Sequence, residues 1–231
     1  MDSAIPYKDV AAQAISLGAS LVGVTHVATL LDSPSHRLHP VKRCARDACS
    51  ALVLALAHTE GQPEMDLWDN RPGRTPGNRR LIKISQRLTK WLQEVHSTEA
   101  YELPYQAINR GVFLKDAAIL AGLGVMGKNN LLITPQYGPR VRLRALLLNR
   151  PMEGTGPLDG FAPCDGCDGP CMQACPWEAL HGGGYERQRC LQQMNEDETD
   201  RIVLTPPFIG MPAKIIIAYC RLCELACPVG Q

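Results

Sequence analysis

The chain has 231 residues, 45% of them apolar, and its 24 basic and 23 acidic side chains leave a net charge of +1. That is enough apolar material for one large core or two small ones, and the charge balance excludes both a disordered tail and a globally basic nucleic-acid binder. The first residues, MDSAIPYKDV, lack the apolar run of a signal peptide, and no stretch approaches the roughly 20 apolar residues of a membrane helix. Ten cysteines in such a sequence point to a reducing compartment and to metal, so a cytoplasmic protein that contacts no membrane is expected.

Pro6 suits a first helical turn, and Val10, Ala11, Ala14 and Ile15 share a face of the helix it opens, which Gly18 ends. Residues 20–25 read as a buried strand, 27–40 as a loop with two histidines and two prolines, and 51–57 as a second core strand. Cys44 and Cys49, just before that strand, read as small buried hydrophobes in preference to a redox pair. Residues 59–77 hold three prolines, three glycines and Trp68, a length that suits either a lid or a surface excursion. Leu81, Ile84, Leu88, Trp91, Leu92 and Val95 then mark one face of an amphipathic helix, a core stripe with no chemistry assigned. Residues 101–107 alternate as a strand would.

Gly122, Gly124 and Gly127 spell G-x-G-x-x-G, but a dinucleotide fingerprint follows a strand and opens a helix. Here residues 113–121 read as helix and 131–134 as strand, so that reading is rejected. The glycines serve either to bring the backbone close past a neighbour or a flat cofactor, with Lys128, Asn129 and Asn130 offering donors, or simply to stop a helix. After a turn at 135–139, Arg140, Arg142 and Arg144 alternate on one face of a strand. They would grip phosphates or an acidic partner, or form an ordinary solvated face. Further on, a helical turn at 177–181 ends in three glycines, a helix over 185–194 carries Cys190, and a last helix over 213–219 is expected to deliver Cys220.

Eight cysteines organise the last third. Residues 164–176 read CDGCDGPCMQACP, which is C-x2-C-x3-C-x3-C-P, and residues 220–228 read CRLCELACP. A bacterial ferredoxin run is C-x2-C-x2-C-x3-C-P, its fourth cysteine crossing to the other cluster; here Pro170 widens the middle gap by one. With Cys190 the runs supply ligands for two 4Fe–4S clusters. Crossover puts Cys164, Cys167, Cys171 and Cys227 on the first, and Cys175, Cys190, Cys220 and Cys223 on the second. Two all-thiolate zinc sites are the rival; the trailing prolines and the x3 gaps favour iron.

The segment AGLGVMGKNNLLITPQYGPRVRLRALL, followed by a cysteine run ending in CP, an isolated cysteine and a final C-x2-C-x3-CP, resembles epoxyqueuosine reductase. That family and the reductive dehalogenases are corrinoid-dependent iron–sulfur proteins, and the resemblance reaches back to LGASLVGVT near the start. It implies an α/β (α+β) fold: a nitroreductase-like cobalamin-binding core over residues 1–157 and a double 4Fe–4S ferredoxin-like module over 158–231. It also marks Gly124, Gly127, Lys128 and Asn129 as facing the cofactor. The queuosine enzymes carry a proton-donating aspartate about a dozen residues before AGLG. The matching stretch here, QAINRGVF, offers Ile108 or Asn109, so no catalytic residue is assigned. Longer members also continue past the second cysteine run into a region that helps hold tRNA, which this sequence lacks.

The function so implied is an iron–sulfur oxidoreductase that passes electrons through two clusters to a bound corrinoid, on a substrate other than epoxyqueuosine. The alternative is a two-cluster electron carrier or adaptor that reduces a partner's corrinoid or flavin. A small-molecule substrate or a redox partner protein is the expected partner, and tRNA, suggested by the three arginines, ranks below both.

Overall fold

Short apolar runs and one long amphipathic stripe set the order of elements. Helix α1 (Tyr7–Ser16) leads to β1 (Leu21–His26), two short helices α2 (Val27–Leu31) and α3 (Pro34–Leu38), and β2 (Ser50–Ala57). A 3-10 turn (Pro63–Asp66) and β3 (Trp68–Asp69) precede α4 (Pro76–His96), β4 (Ala100–Glu102), α5 (Leu114–Leu120) and β5 (Val125–Met126). There follow β6 (Leu132–Ile133), β7 (Val141–Leu148), α6 (Pro170–Gln173), α7 (Arg187–Thr199), β8 (Ile202–Leu204), β9 (Lys214–Ile217) and α8 (Leu222–Leu225). The structure, a computed structural model, describes residues 4–38, 47–58, 61–105, 111–205 and 212–231; Cys44, Ile108 and Asn109 lie outside them. These residues fall into two units. One takes Met1–Ala57, Leu81–Met126 and Val141–Ala162, the other His58–Arg80, Gly127–Arg140 and Pro163–Gln231.

The first unit is built on an antiparallel sheet of order β1-β2-β7-β4. Its central strand β2 is buried from Ser50 to Leu56, which explains why the sequence runs SALVLAL without alternation. Val24 stands opposite Leu52 on one side and Leu146 opposite Leu52 on the other. Helix α5 packs across β1, β2 and β7, while α1 and α2 pack on β1. In α4 the expected stripe is buried at Leu81, Ile84, Leu88 and Leu92, but Val95 in its last turn is 58% exposed. The stretch 27–38, expected as loop, contains α2 and α3. Its turns are tied down by Asp116, whose carboxylate accepts from the Ser33 and Ser35 hydroxyls at 2.9 Å each.

Gly122 ends α5 at φ +71, the left-handed conformation that glycine tolerates, and a Cβ there would meet the Thr155 carbonyl oxygen at 2.7 Å. The helix-stop use of this glycine is therefore the observed one. Gly122→Ala combines backbone strain with a clash and is expected to cost about 1–3 kcal/mol of stability; thermal unfolding beside the parent protein reads this directly, and an unchanged midpoint would contradict it.

The second unit contains the antiparallel sheet β3-β9-β8. Residues 214–217 were expected in a helix and form the central strand of this sheet. Ile215, Ile216 and Ile217 are β-branched in succession, and both edges of β9 find ladder partners, so the strand wins. In the described part of 59–77, Trp68–Asp69 form β3 against β9. Asp69 is buried and accepts from Arg71 (2.7 Å) and Arg79 (2.8 Å); burial alone would raise its pKa, but these bonds hold it well below the usual carboxylate range. Among the described residues no helix is long and apolar enough to cross a membrane.

Candidate metal centre

The two cysteine runs fold the same way. In the first, Gly169 takes φ +70, and Pro170 opens the one-turn helix α6 that carries Cys171. The residue that widens the spacing is thus the start of a helical turn. Cys175 follows at its end, donating its N–H to the Met172 carbonyl at 3.2 Å. In the second run, α8 carries Cys223, and Cys227 donates to the Glu224 carbonyl at 3.3 Å. Helices α6 and α8 pack against each other.

Cys171, Cys220 and Cys223 each have a thiol neighbour from the other run. Burial pushes the Cys171 pKa up, and the neighbours that add to it are Cys227, Cys164 and Cys167. Burial pushes Cys223 up to about 12, with Cys220, Cys175 and Cys190 adding. Cys220 is raised by burial and then by Asp197, Cys175 and Cys190. Any metal bound by these thiols would have to displace their protons. Backbone N–H groups already point at sulfur: Lys128 to Cys164 Sγ at 3.4 Å and Ala179 to Cys175 Sγ at 3.2 Å. Among the described residues, no three His, Cys, Asp or Glu side chains stand close enough together to hold a single ion.

The turn after α5 reaches into the same unit. Lys128 Nζ donates to the Cys167 carbonyl at 3.1 Å, and Asn129 Nδ2 donates to the Cys223 carbonyl at 3.2 Å. Asn129 is 4% exposed. A Cβ on Gly127 would meet Asn129 Oδ1 and Ile133, both at 2.6 Å, so the glycine lets the asparagine fold back. Lys128, Asn129, Cys164, Cys167, Cys171 and Cys227 line one cavity. Gly124 is buried and belongs to the first unit. Cys49 is separate from both runs; its thiol faces the Leu148 carbonyl at 3.7 Å.

One group of functional weight escaped the sequence reading. Arg221 and Glu224 sit inside the second run and meet His58 and Asp66. Arg221 Nη2 lies 2.5 Å from Glu224 Oε1 and 2.7 Å from His58 Nδ1, and Arg221 Nη1 pairs with Asp66. His58 Nδ1 is also 2.9 Å from Asp66 Oδ2. That single ring nitrogen either donates to the carboxylate or accepts from the guanidinium. The available signal was two opposite charges placed between metal-binding cysteines; spacing could not name partners more than 150 residues away.

The arginine row is not the surface feature expected. Arg140 is 5% exposed and donates to the Cys227 carbonyl at 3.3 Å and the Val229 carbonyl at 2.6 Å. Arg144 donates to the Leu103 carbonyl at 2.9 Å, and burial lowers its pKa. Both reinforce backbone and neither forms a phosphate grip or a solvated face.

No protein-family model matches the chain. The epoxyqueuosine reductase of Lactococcus garvieae is 32% identical over 151 residues, which is 64% of this chain and 41% of that protein. A crystal structure of epoxyqueuosine reductase with an epoxyqueuosine-modified tRNA stem loop superposes with a TM-score of 0.70 at 21% identity, over 96% of this chain and 64% of that one. A reductive dehalogenase whose structure suggests a mechanism for B12-dependent dehalogenation gives 0.63 at 18%, over 96% and 31%. The chain thus spans less than two thirds of the length of these proteins. It resembles epoxyqueuosine reductase in sequence, and its mixed α/β fold is the one these enzymes share. The low rank given to tRNA is corrected, since a protein of the same fold carries a tRNA stem loop.

Proposed function

We propose that this relative of the epoxyqueuosine reductases is an iron–sulfur reductase holding two 4Fe–4S clusters in residues 158–231 and a corrinoid on its 1–157 core. The observation that supports the reading is one cavity lined by Cys164, Cys167 and Cys171 of the first run together with Cys227 of the second; Cys175 in turn is among the neighbours of Cys220 and Cys223. When bound, such clusters supply one-electron chemistry at low potential, and a corrinoid supplies a reducible cobalt. Cys164, Cys167, Cys171 and Cys227 would hold one cluster, and Cys175, Cys190, Cys220 and Cys223 the other. The protein's part is to turn the thiols inward on one-turn helices, to bond sulfur with backbone N–H groups, and to bury Cys171 and Cys227 from water.

Of the four residues assigned to the corrinoid, Lys128 and Asn129 bond the carbonyls of cysteine residues, so their role toward a corrinoid is to fix the turn that begins at Gly124 and Gly127. That commitment also favours a second reading, an electron carrier that reduces a partner's cofactor. The substrate class follows the relatives: a modified tRNA base or a small organic molecule.

Anaerobic purification followed by a visible spectrum and iron, sulfide and cobalt analysis tests the whole. A brown protein with the iron and sulfide of two cubanes is expected, taking up about one cobalt when cobalamin is added. Full clusters with no cobalamin uptake select the carrier; a colourless protein holding two zinc ions sinks both.

A further inference from the structure

The two thiol sets sit in opposite electrostatic surroundings. Behind the first lies Arg140, buried, with its guanidinium donating to the carbonyl of the ligand Cys227. Behind the second lies Asp197, half-buried, whose Oδ2 accepts the backbone N–H of the ligand Cys220 at 2.7 Å. Gln193 holds the other carboxylate oxygen at 2.8 Å, so the group is fixed in place. Each formal charge is therefore one hydrogen bond from the main chain of a ligand.

On this basis, and resting on the two-cluster reading above, we infer that Arg140 and Asp197 are positioning residues for charge that split the two potentials, placing the Cys164 set above the Cys175 set. Reduction adds one negative charge to a cluster. A nearby cation stabilises the added charge and a nearby carboxylate opposes it; the buried Arg140 acts with little screening, and the half-buried Asp197 acts at hydrogen-bond distance from the ligand backbone.

Other contributions were weighed. Backbone N–H donors reach sulfur in both sets, from Lys128 in the first and Ala179 in the second, and do not separate them. Asp165 and Asp168 within the first run are exposed, as is Lys128, and water and salt screen all three. Arg221 in the second run is shared between Glu224 and Asp66, so that group offers no net positive charge to offset Asp197. Exposure of Cys220 acts the other way, since water favours the more charged reduced state, but it concerns one ligand of four. Arg140 and Asp197 act in the same direction, one at each set.

The arrangement is one of slope. An electron delivered by a low-potential one-electron reductant to the Cys175 set has a favourable move to the Cys164 set, and the return is uphill.

The test is a dithionite potentiometric titration of the full chain, purified anaerobically and followed by EPR, with Asp197→Asn as the main variant. Asparagine removes the charge and keeps an acceptor for the Cys220 N–H, and its NH2 is satisfied when the Gln193 amide turns to present its oxygen. Two waves are expected in the parent protein. In D197N the lower wave should rise by about a tenfold shift in its reduction equilibrium, about 59 mV, while the higher stays put. Arg140→Lys, which keeps the charge, should leave both waves in place, and Arg140→Gln should lower the upper one. If D197N moves neither wave, or moves the upper one, the inference is overturned while the clusters stand. Protein without the iron and sulfide of two cubanes removes the two-cluster reading and the inference with it.

Discussion

Replacing Asp66 with alanine lowers the unfolding free energy by about 3–5 kcal/mol. The Asp66 side chain is 4% exposed and faces two partners, Arg221 Nη1 and His58 Nδ1. Removing the carboxylate leaves a guanidinium only 21% exposed with Glu224 as its remaining acidic partner among the pairs described, and a buried imidazole beside it. The loss therefore includes the desolvation of the groups left behind, which is why a buried pair costs more to break than a surface pair of about 0–1 kcal/mol. Guanidinium unfolding of anaerobic protein measures it, with Arg37→Ala as control: that residue pairs with Asp32 at 2.7 Å, but both side chains are more than half exposed. A D66A loss no larger than that of R37A would mean the network contributes no more than a surface pair. Because Arg221 adjoins Cys220, faster loss of iron in air is expected alongside.

On the proposed two-cluster reading, serine at Cys227 removes the same cluster as serine at Cys164, though the two lie at opposite ends of the cysteine region. The thiols that surround Cys171 include Cys227 from the second run, and those around Cys223 include Cys175 from the first. Iron and sulfide in C227S, C164S or C175S should each fall to about half, since each loses a ligand of one cluster and not of the other. The double variants decide the pairing. C171S/C227S should lose no more than either single change, whereas C171S/C223S should lose nearly all the iron. Sequential pairing, run by run, predicts that C171S with C175S costs one cluster only; observing that would overturn the crossover. C49S, whose thiol lies in the first unit, should keep full iron.

Much of this was written in local pattern. The apolar runs at 20–25 and 51–57 became β1 and β2, and the stripe from Leu81 to Leu92 became the buried face of α4, because burial in sheet and helix leaves a period that a sequence carries openly. Residues 213–219 were misjudged: an isolated AKIIIAY suits either element, and the ladder partners that decide it, β3 and β8, are not adjacent to it in a way that periodicity reveals. Arg140 and Arg144 alternate as an exposed face would, yet their bonds to Cys227 and Leu103 carbonyls lie 87 and 41 residues away. Asp66, within the stretch read as a lid or surface excursion, pairs with Arg221, farther off in sequence still. Charge pairs of long separation carry no period, so only the fold discloses them.

The interleaving of the second unit bears on how such a protein can be rebuilt. Arg221 depends on Asp66, Cys223 on Asn129 and Cys227 on Arg140, yet residues 66, 129 and 140 are encoded ahead of every cluster cysteine. A gene fragment beginning near residue 158 would carry all eight thiols and none of these three anchors. Transplanting the cysteine-bearing part into another scaffold would therefore require grafting two upstream loops with it, so recombination would tend to inherit these segments together.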